Sequence, residues 1–295
     1  MKILLIGRYG QVGWELERTL APLGELVVVD RDTVDIADPD AAARVVRDTA
    51  ANVVVNAAAY TAVDRAESES ALAHRINADA VGSIGREAAR LGALVVHYST
   101  DYVFDGSKAG PYVEDDTPDP LGEYGKSKLA GERALAASGA AHLVFRTSWV
   151  YARRGGNFVL TMLRLAKERP ELRVVDDQIG APTWARDLAT ATALVLARRA
   201  AGAPAPSGVY HMTGGGRTSW CGFARRILEL AGAKTTVVPI GTKDYPTPAK
   251  RPQNSLLDNG KLRMTFGIAL PHWEQSLERC LADESATASP TRVSR

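Results

Sequence analysis

The stretch that decides the fold is Gly7-Arg8-Tyr9-Gly10-Gln11-Val12-Gly13. It follows the apolar run Lys2–Ile6 and opens a helical pattern near Val12. Glycines at i, i+3 and i+6 permit a tight turn, close approach of the backbone to a pyrophosphate, and close packing of helix on strand. The start of the helix offers free N–H groups and a positive dipole end to phosphate. This stretch, the glycine turn, therefore predicts a dinucleotide-binding site.

An acidic residue follows at the end of the next apolar run. Asp30 lies about 20 residues beyond the middle glycine, where a carboxylate accepts a hydrogen bond from an adenosine ribose hydroxyl. Asp30 would repel a 2′-phosphate, whereas the neighbouring Arg31 would attract one. Both NADH and NADPH therefore stay open as the cofactor.

Short apolar runs alternate with helical patterns through the first half of the chain. The runs are Lys2–Ile6, Leu26–Asp30, Val53–Asn56, Leu94–Ser99 and Leu143–Thr147. Because they are apolar on both faces, they indicate buried parallel strands. The helices are predicted from near Val12, over Asp38–Thr49, over Ser70–Leu91 with Gly92 as its stop, and over Tyr124–Ala137. This alternation predicts an α/β protein with a Rossmann-type, doubly wound parallel sheet.

The pattern changes after Trp149. Helices are predicted over Asn157–Lys167, Trp184–Arg199, Ser219–Leu230 and Pro271–Leu281, and strands over Leu172–Val175 and Val209–Met212. We expect an NAD(P)-binding domain at residues 1–147 and a smaller C-terminal substrate-binding lobe at 148–283, some of whose segments return to the sheet. Residues 284–295 lack periodicity and are predicted to form a disordered tail.

Composition limits the class of protein. The 295 residues are 45% hydrophobic and 24% charged, as in soluble globular proteins. Lys and Arg number 36 against 34 Asp and Glu, so the basic excess used to bind nucleic acid is missing. The chain has no apolar stretch that approaches 18 residues, which excludes a membrane span. Two cysteines without a CxxC pair fit a cytoplasmic protein.

A second motif, Tyr124-Gly125-Lys126-Ser127-Lys128, lies at a helix start. Tyr124 and Lys128 are i and i+4, so they share one helical face. A free tyrosine has a pKa of about 10, and a nearby ammonium favours the phenolate. One charge at about 4 Å, with an effective dielectric near 20, contributes ~4 kcal/mol, enough to lower the pKa by roughly three units. The pair is therefore a candidate proton donor with its activating cation.

The position of this motif strengthens its interpretation. Taken alone, Tyr-x-x-x-Lys also fits an exposed amphipathic helix. The strand before it, however, ends in Ser99 and Thr100, at the carboxyl edge where doubly wound sheets bind ligands. Thr100 is either a strand-end turn residue or a hydrogen-bond partner of a substrate carbonyl oxygen beside Tyr124.

In this combination the chain resembles the extended short-chain dehydrogenase/reductase family and, within it, the dTDP-4-dehydrorhamnose reductases. The resemblance extends from about residue 1 to 280. The motifs that carry it, in chain order, are residues 10–16 (GQVGWEL), 56–64 (NAAAYTAVD), 99–106 (STDYVFDG), 124–132 (YGKSKLAGE), 146–151 (RTSWVY) and 178–183 (QIGAPT).

The resemblance implies a reaction of dTDP-rhamnose biosynthesis, which serves cell-surface polysaccharides. NADPH or NADH would deliver hydride to the C4 ketone of a dTDP-linked 6-deoxyhexose. Tyr124 would protonate the forming alkoxide, Lys128 would lower the pKa of Tyr124 and bind the nicotinamide ribose, and Thr100 would position the carbonyl. The sequence does not decide between the L-rhamno and talo products or a streptose-type substrate.

The resemblance also implies a set of binding residues. The cofactor-binding residues expected beside Tyr124 and Lys128 are Gly7, Gly10, Gln11, Val12, Gly13, Asp30, Arg31, Asp35, Ile36, Ala58, Ala59, Tyr60, Thr61 and Tyr98. The substrate-binding residues expected from the matching motifs are Thr100, Asp101 and Trp149. Gln178 and Arg251, in the second half of the chain, are expected to hold the nucleotide diphosphate, because Arg can clamp phosphate bidentately. Trp149 also suits core packing, and Arg251 also suits a solvated loop. Some family members use Mg²⁺, for which Glu15 is a weak candidate ligand, although it also fits a first-turn acid that matches the helix dipole.

Two other functions stay open at this point. An epimerase or dehydratase of the same superfamily would keep NAD bound and return the hydride. A dehydratase has an Asp-Glu pair after the Ser/Thr, whereas Asp101-Tyr102 stands here. A non-catalytic NADP-binding regulatory subunit would not need Tyr124 and Lys128. The expected assembly is a homodimer.

Overall fold

The structure is a computed structural model, and it describes residues 1–283, so the predicted tail at 284–295 lies outside the described residues. The strands are β1 (Lys2–Ile6), β2 (Glu25–Val29), β3 (Val53–Asn56), β4 (Leu94–Thr100), β5 (His142–Thr147), β6 (Val150–Tyr151), β7 (Glu171–Val175), β8 (Ile179–Gly180), β9 (Thr183–Trp184), β10 (Gly208–His211), β11 (Thr218–Ser219) and β12 (Thr236–Ile240). The α-helices are α1 (Gln11–Leu20), α2 (Pro39–Thr49), α3 (Val63–Ala66), α4 (Ser70–His74), α5 (Ala80–Leu91), α6 (Glu123–Ala137), α7 (Phe158–Glu168), α8 (Ala185–Ala200), α9 (Trp220–Leu230), α10 (Gly260–Phe266) and α11 (Trp273–Ala282).

The central sheet is parallel throughout. Its strand order is β10-β5-β4-β3-β1-β2. The chain runs from β1 outward to β2 and then returns to the other side of β1 to form β3. This reversal is a topological switch point, outside which doubly wound sheets bind their ligands. The glycine turn follows β1 there, and Asn56 ends the neighbouring β3.

Helices cover both faces of the sheet. Leu16 and Leu20 of α1 and Leu188 of α8 pack on one face. Val46 of α2 and Ile84 of α5 pack on the other. The strands β1, β3, β4 and β5 are almost wholly buried, which explains why their sequences are apolar at successive positions. The predicted doubly wound α/β fold is confirmed.

The later part of the chain forms a second core. Phe223 of α9, Trp273 of α11 and Tyr151 of β6 pack together beside the parallel pair β7 and β12. Other late segments return to the first core, since β10 pairs with β5 and α8 packs on α1. Segments after residue 147 therefore contribute to both cores.

The single helix predicted over Ser70–Leu91 is interrupted. Residues Arg75–Asp79 form a π-helical turn between α4 and α5. At its centre the buried Asn77 amide accepts a hydrogen bond from the Tyr60 N–H (2.9 Å) and donates one to the Ser127 hydroxyl (3.0 Å). A Cβ on Gly131 of α6 would lie 1.9 Å from the Asn77 carbonyl oxygen. The widened turn thus fits two tertiary contacts that helical periodicity does not reveal.

Among residues 1–283, none of the helices combines the length and the apolar character that crossing a bilayer requires. Both cysteines, Cys221 and Cys280, are buried and free.

Candidate functional site

A cleft of about 930 Å³ opens at the carboxyl edge of the sheet. Its walls come from the loops after β1, β2, β3, β4 and β5, from the start of α6, and from the 149–156 segment. The predicted site residues that line it are Gly7, Gly10, Gln11, Val12, Asp30, Arg31, Asp35, Ile36, Ala58, Ala59, Thr61, Tyr98, Thr100, Asp101, Tyr124, Lys128 and Trp149. Residues from six separate stretches of sequence thus meet in one cavity.

Glycine stands at each of the three positions of the turn for a different structural reason. Gly7 has a φ of +98°, and a Cβ there would lie 2.7 Å from the Ala58 nitrogen. A Cβ on Gly13 would lie 2.0 Å from the Gly7 carbonyl oxygen. Gly10, the residue before α1, has an ordinary φ of −67° and faces the cleft. Gly7 and Gly13 are therefore required by packing, whereas Gly10 leaves room for a ligand.

The far end of the cleft is acidic. The Asp30 side chain is buried, and its Oδ1 accepts a hydrogen bond from the Asp32 N–H (2.9 Å). Tyr9 lines the same region, and the charge of Asp30, followed by a hydrogen bond to Asp32, raises the pKa of its hydroxyl. Sequence analysis did not select Tyr9, although it lies within the glycine turn.

One predicted cofactor residue points elsewhere. The Tyr60 hydroxyl donates to Glu69 Oε2 (2.7 Å), and its ring does not line the cleft, although Ala59 and Thr61 on either side of it do. Successive side chains of the extended segment after β3 point to opposite sides, so Tyr60 points away from the cleft that Ala59 and Thr61 line. Gly13 also lies outside the cleft lining, because it packs against the backbone of Gly7.

Thr100 and Tyr124 meet at the end of β4. A Cβ on Gly125 would lie 2.2 Å from the Tyr102 carbonyl oxygen, so glycine lets α6 approach the strand closely. The Tyr124 ring packs edge-on against Tyr102, with 5.7 Å between ring centroids. The Thr100 hydroxyl donates to Asp101 Oδ1 (3.0 Å). Tyr102, which lines the cleft, is a residue that sequence analysis missed.

Burial shifts the pKa values of both Tyr124 and Lys128. Burial raises the pKa of Tyr124, with Asp101 acting in the same direction and an interaction with Thr100 against it. The Lys128 Nζ donates to the Tyr98 carbonyl oxygen (2.6 Å). Burial lowers the pKa of Lys128 to about 8, against the attraction of Glu132. Tyr124 is thus a neutral phenol that retains its proton over the physiological range.

Burial also raises the pKa of Asp101 to about 6. Two neighbouring hydroxyls, Ser99 Oγ and Thr147 Oγ1, are buried without a hydrogen-bond partner among the described residues, and both residues line the cleft. Such groups are costly unless a ligand or water satisfies them. Their position at the ends of β4 and β5 is the signal in the sequence that could have identified them.

Trp149 forms the opposite wall of the cleft. It has a φ of +48°, a strained value for a residue other than glycine. Its ring stacks on Trp220, with centroids 3.6 Å apart and planes 8° from parallel. A Cβ on Gly180 would lie 2.4 Å from the Trp149 ring. The stack and the close approach of Gly180 hold the strained conformation.

Three further predicted residues lie outside the cleft lining. Gln178 donates from Nε2 to Thr242 Oγ1 (3.0 Å). Arg251 forms an ion pair with Asp64 (2.8 Å). It also interacts with Tyr102, which lines the cleft, but it does not line the cleft itself. Glu15 is buried in a two-pronged pair with Arg186 (2.9 and 3.3 Å). Within residues 1–283 no group of three or more His, Cys, Asp or Glu side chains is placed to hold a metal ion.

The sequence matches the family model of the RmlD substrate binding domain over residues 1–286. A dTDP-4-dehydrorhamnose reductase of Burkholderia thailandensis is 54% identical over 295 residues, which cover 96% of this chain and 99% of the relative. A solved dTDP-4-dehydrorhamnose reductase of Clostridium acetobutylicum has a TM-score of 0.90 and 38% identity, covering 96% of this chain and 99% of that one. The Bacillus anthracis enzyme, solved in complex with NADP, has a TM-score of 0.88 and 36% identity, covering 95% and 98%.

Proposed function

Because the chain belongs to the RmlD substrate-binding-domain family, we propose that it reduces the C4 ketone of dTDP-4-dehydro-L-rhamnose to dTDP-L-rhamnose with NADPH or NADH. The observation that carries this proposal is the convergence of Thr100, Tyr124 and Lys128 in the cleft that begins at the glycine turn. A dinucleotide site and a proton donor in one cavity are what reduction of a ketone requires.

The cofactor, when bound, supplies the hydride. The N–H groups at the start of α1 hold its pyrophosphate, and Asp30 accepts from its adenosine ribose. Lys128 binds the nicotinamide ribose. The carboxylate of Asp30 favours NADH and Arg31 favours NADPH, so the proposal includes both cofactors.

Tyr124 donates the proton to the ketone oxygen as the alkoxide forms. Burial keeps the phenol protonated before each turnover, as a proton donor requires. Thr100 positions the phenol and the carbonyl oxygen, and Asp101 holds the Thr100 hydroxyl. Trp149 offers its flat face to the sugar ring.

An epimerase or a dehydratase on the same scaffold would return the hydride to its substrate. Mixing dTDP-4-dehydro-L-rhamnose with NADPH or NADH separates these functions, since a reductase oxidises one cofactor for each ketone consumed. NMR of the product then distinguishes the rhamno from the talo sugar. No net oxidation of the cofactor would exclude the reductase. A cytoplasmic homodimer stays a prediction from the sequence.

The proton donor is tested by Tyr124→Phe, which removes one hydroxyl. We expect kcat to fall by roughly 10²–10⁴-fold, the usual contribution of a general acid. Cofactor affinity, measured by fluorescence titration, should not change. Tyr210→Phe is the matched control, because Tyr210 lies in β10 and its hydroxyl donates to the Pro206 carbonyl oxygen. A fully active Tyr124→Phe enzyme would exclude Tyr124 as the donor.

A further inference from the structure

Three buried polar side chains form a row that begins at the cleft lining with Lys128. Asn56 ends β3, His97 lies in β4 and Lys128 lies in α6, with exposed fractions of 3%, 1% and 2%. Asn56 Nδ2 lies 3.3 Å from His97 Nδ1, and His97 Nε2 lies 3.3 Å from Lys128 Nζ. The proposed mechanism uses only Lys128, and the resemblance assigns nothing to Asn56 or His97.

The orientation of the Asn56 amide is fixed by the backbone. Its Oδ1 accepts a hydrogen bond from the Ala58 N–H (3.2 Å), so its Nδ2 donor faces His97. His97 Nδ1 must therefore accept. A neutral imidazole carries one proton, which leaves that proton on Nε2, directed at Lys128. Burial and the charge of Lys128 keep the pKa of His97 well below its usual value, so the ring is neutral.

This tautomer opposes a charged Lys128. An ammonium group has only donors, and one of them is used by the Tyr98 carbonyl oxygen. A charged Lys128 would place a second N–H against the N–H of His97, whereas a neutral amine would accept from it.

The other groups around Lys128 act differently. Glu132, one turn later in α6, favours the ammonium, but both of its oxygens bind Arg146 (2.9 and 2.7 Å). Tyr124, one turn earlier, is neutral, and the Asp101 carboxyl lies beyond it at the end of β4. Within the described residues, His97 is the side chain that presents a hydrogen-bonding group directly to Nζ.

We propose that Asn56 and His97 are positioning residues: Asn56 selects the tautomer of His97, and His97 thereby shifts the protonation equilibrium of Lys128 toward the neutral amine.

The tautomer is tested directly by long-range ¹H–¹⁵N NMR, in which the protein's five histidines are few enough to assign. In the wild type, Nδ1 of His97 should be unprotonated and Nε2 protonated. In Asn56→Asp, a carboxylate replaces the donor, so the proton should move to Nδ1. Asn56→Leu removes the donor without adding a charge and should give the same switch. A wild-type His97 with its proton on Nδ1 would overturn the proposal.

The consequence for Lys128 is tested by the pH profile of kcat/KM for ketone reduction, an arm that rests on the proposed function. The wild-type profile should fall on the basic side as Lys128 loses its proton, and both Asn56 variants should move this fall upward by about one pH unit. Asn52→Asp is the matched control, since it adds the same charge just before β3, on an exposed residue. A switched tautomer with an unmoved profile would show that His97 does not control Lys128. If the wild type showed no reductase activity, the proposed function would be refuted. The NMR measurement would still test whether Asn56 selects the tautomer of His97.

Discussion

The glycine turn and Trp149 line the same cleft, yet they are held by different kinds of contact. The turn is fixed by main-chain atoms, since Gly7 and Gly13 lie where any Cβ would meet backbone within 2.7 and 2.0 Å. Trp149 is fixed by another side chain, through its stack on Trp220 at 3.6 Å. The cofactor side should therefore tolerate almost no substitution at its packing positions, while the sugar side should respond in proportion to the contact removed.

The largest effect is expected from Gly13→Ala. Its new Cβ would lie 2.0 Å from the Gly7 carbonyl oxygen, a main-chain atom that cannot rotate away. We expect a loss of ~3 kcal/mol in the free energy of unfolding, the upper end of the usual range for overpacking. Urea denaturation measures it.

Gly10→Ala is the matched control. A Cβ at Gly10 would lie 3.4 Å from the same oxygen and would face the cleft. Stability should change by no more than about 1 kcal/mol, the cost of alanine at a helix N-cap. Affinity for NADPH should fall. If Gly13→Ala were as stable as Gly10→Ala, the turn would not be fixed by its backbone contacts.

A smaller effect is expected from Trp220→Ala. Without the stack, the strained backbone of Trp149 loses its support, and aromatic pairs contribute roughly 0.5–1.5 kcal/mol beyond the area they bury. The KM for the sugar nucleotide should rise up to about tenfold, because 1.4 kcal/mol corresponds to a factor of ten. The KM for NADPH should stay constant. Steady-state kinetics with each substrate varied in turn separates the two values.

Trp220→Phe serves as the control, because a smaller ring still stacks on Trp149. Its KM for the sugar should lie between those of the wild type and Trp220→Ala. An unchanged KM for the sugar in Trp220→Ala would mean that Gly180 and the surrounding chain suffice to hold Trp149, and the contrast between the two sides of the cleft would weaken.

The same contrast explains what the sequence could predict. The glycine turn, the buried strands and the Tyr124 motif follow from local spacing, because the demands of a tight turn, a buried strand and one helical face act over a few residues. Trp220 and Gly180 could not be found in this way, since their partner Trp149 is distant in sequence and the contact exists only after folding.

The electrostatic contacts could not be predicted from the sequence either. The bond from Lys128 to the Tyr98 carbonyl oxygen is made across the α6–β4 interface, and the burial that raises the pKa of Tyr124 also arises only on folding. Arg251 was selected for its charge and Glu15 from the family resemblance, while their partners Asp64 and Arg186 depend on tertiary structure.

The smallest effect concerns Arg251 and Asp64, whose side chains are 22% and 39% exposed. After solvent screening, such a pair contributes about 0.5 kcal/mol, so Arg251→Gln and Asp64→Asn should each destabilise only slightly. Their effects should not add in the double variant. If the pair only joins the 249–251 loop to the first core, all three variants should keep the wild-type KM for the sugar nucleotide.

Kinetics at low and high salt then separate a structural pair from a phosphate clamp. A clamp would require Arg251 to leave Asp64 for the diphosphate, since one guanidinium edge cannot serve both. Arg251→Gln would then raise the KM for the sugar nucleotide about tenfold. Asp64→Asn would lower it, because the competing carboxylate is gone, and added salt would reduce both effects. Opposite changes of this KM in the two variants would indicate that Arg251 moves from Asp64 to the diphosphate when the sugar nucleotide binds. Equal and negligible changes would leave Trp149 and its stack as the main determinant there.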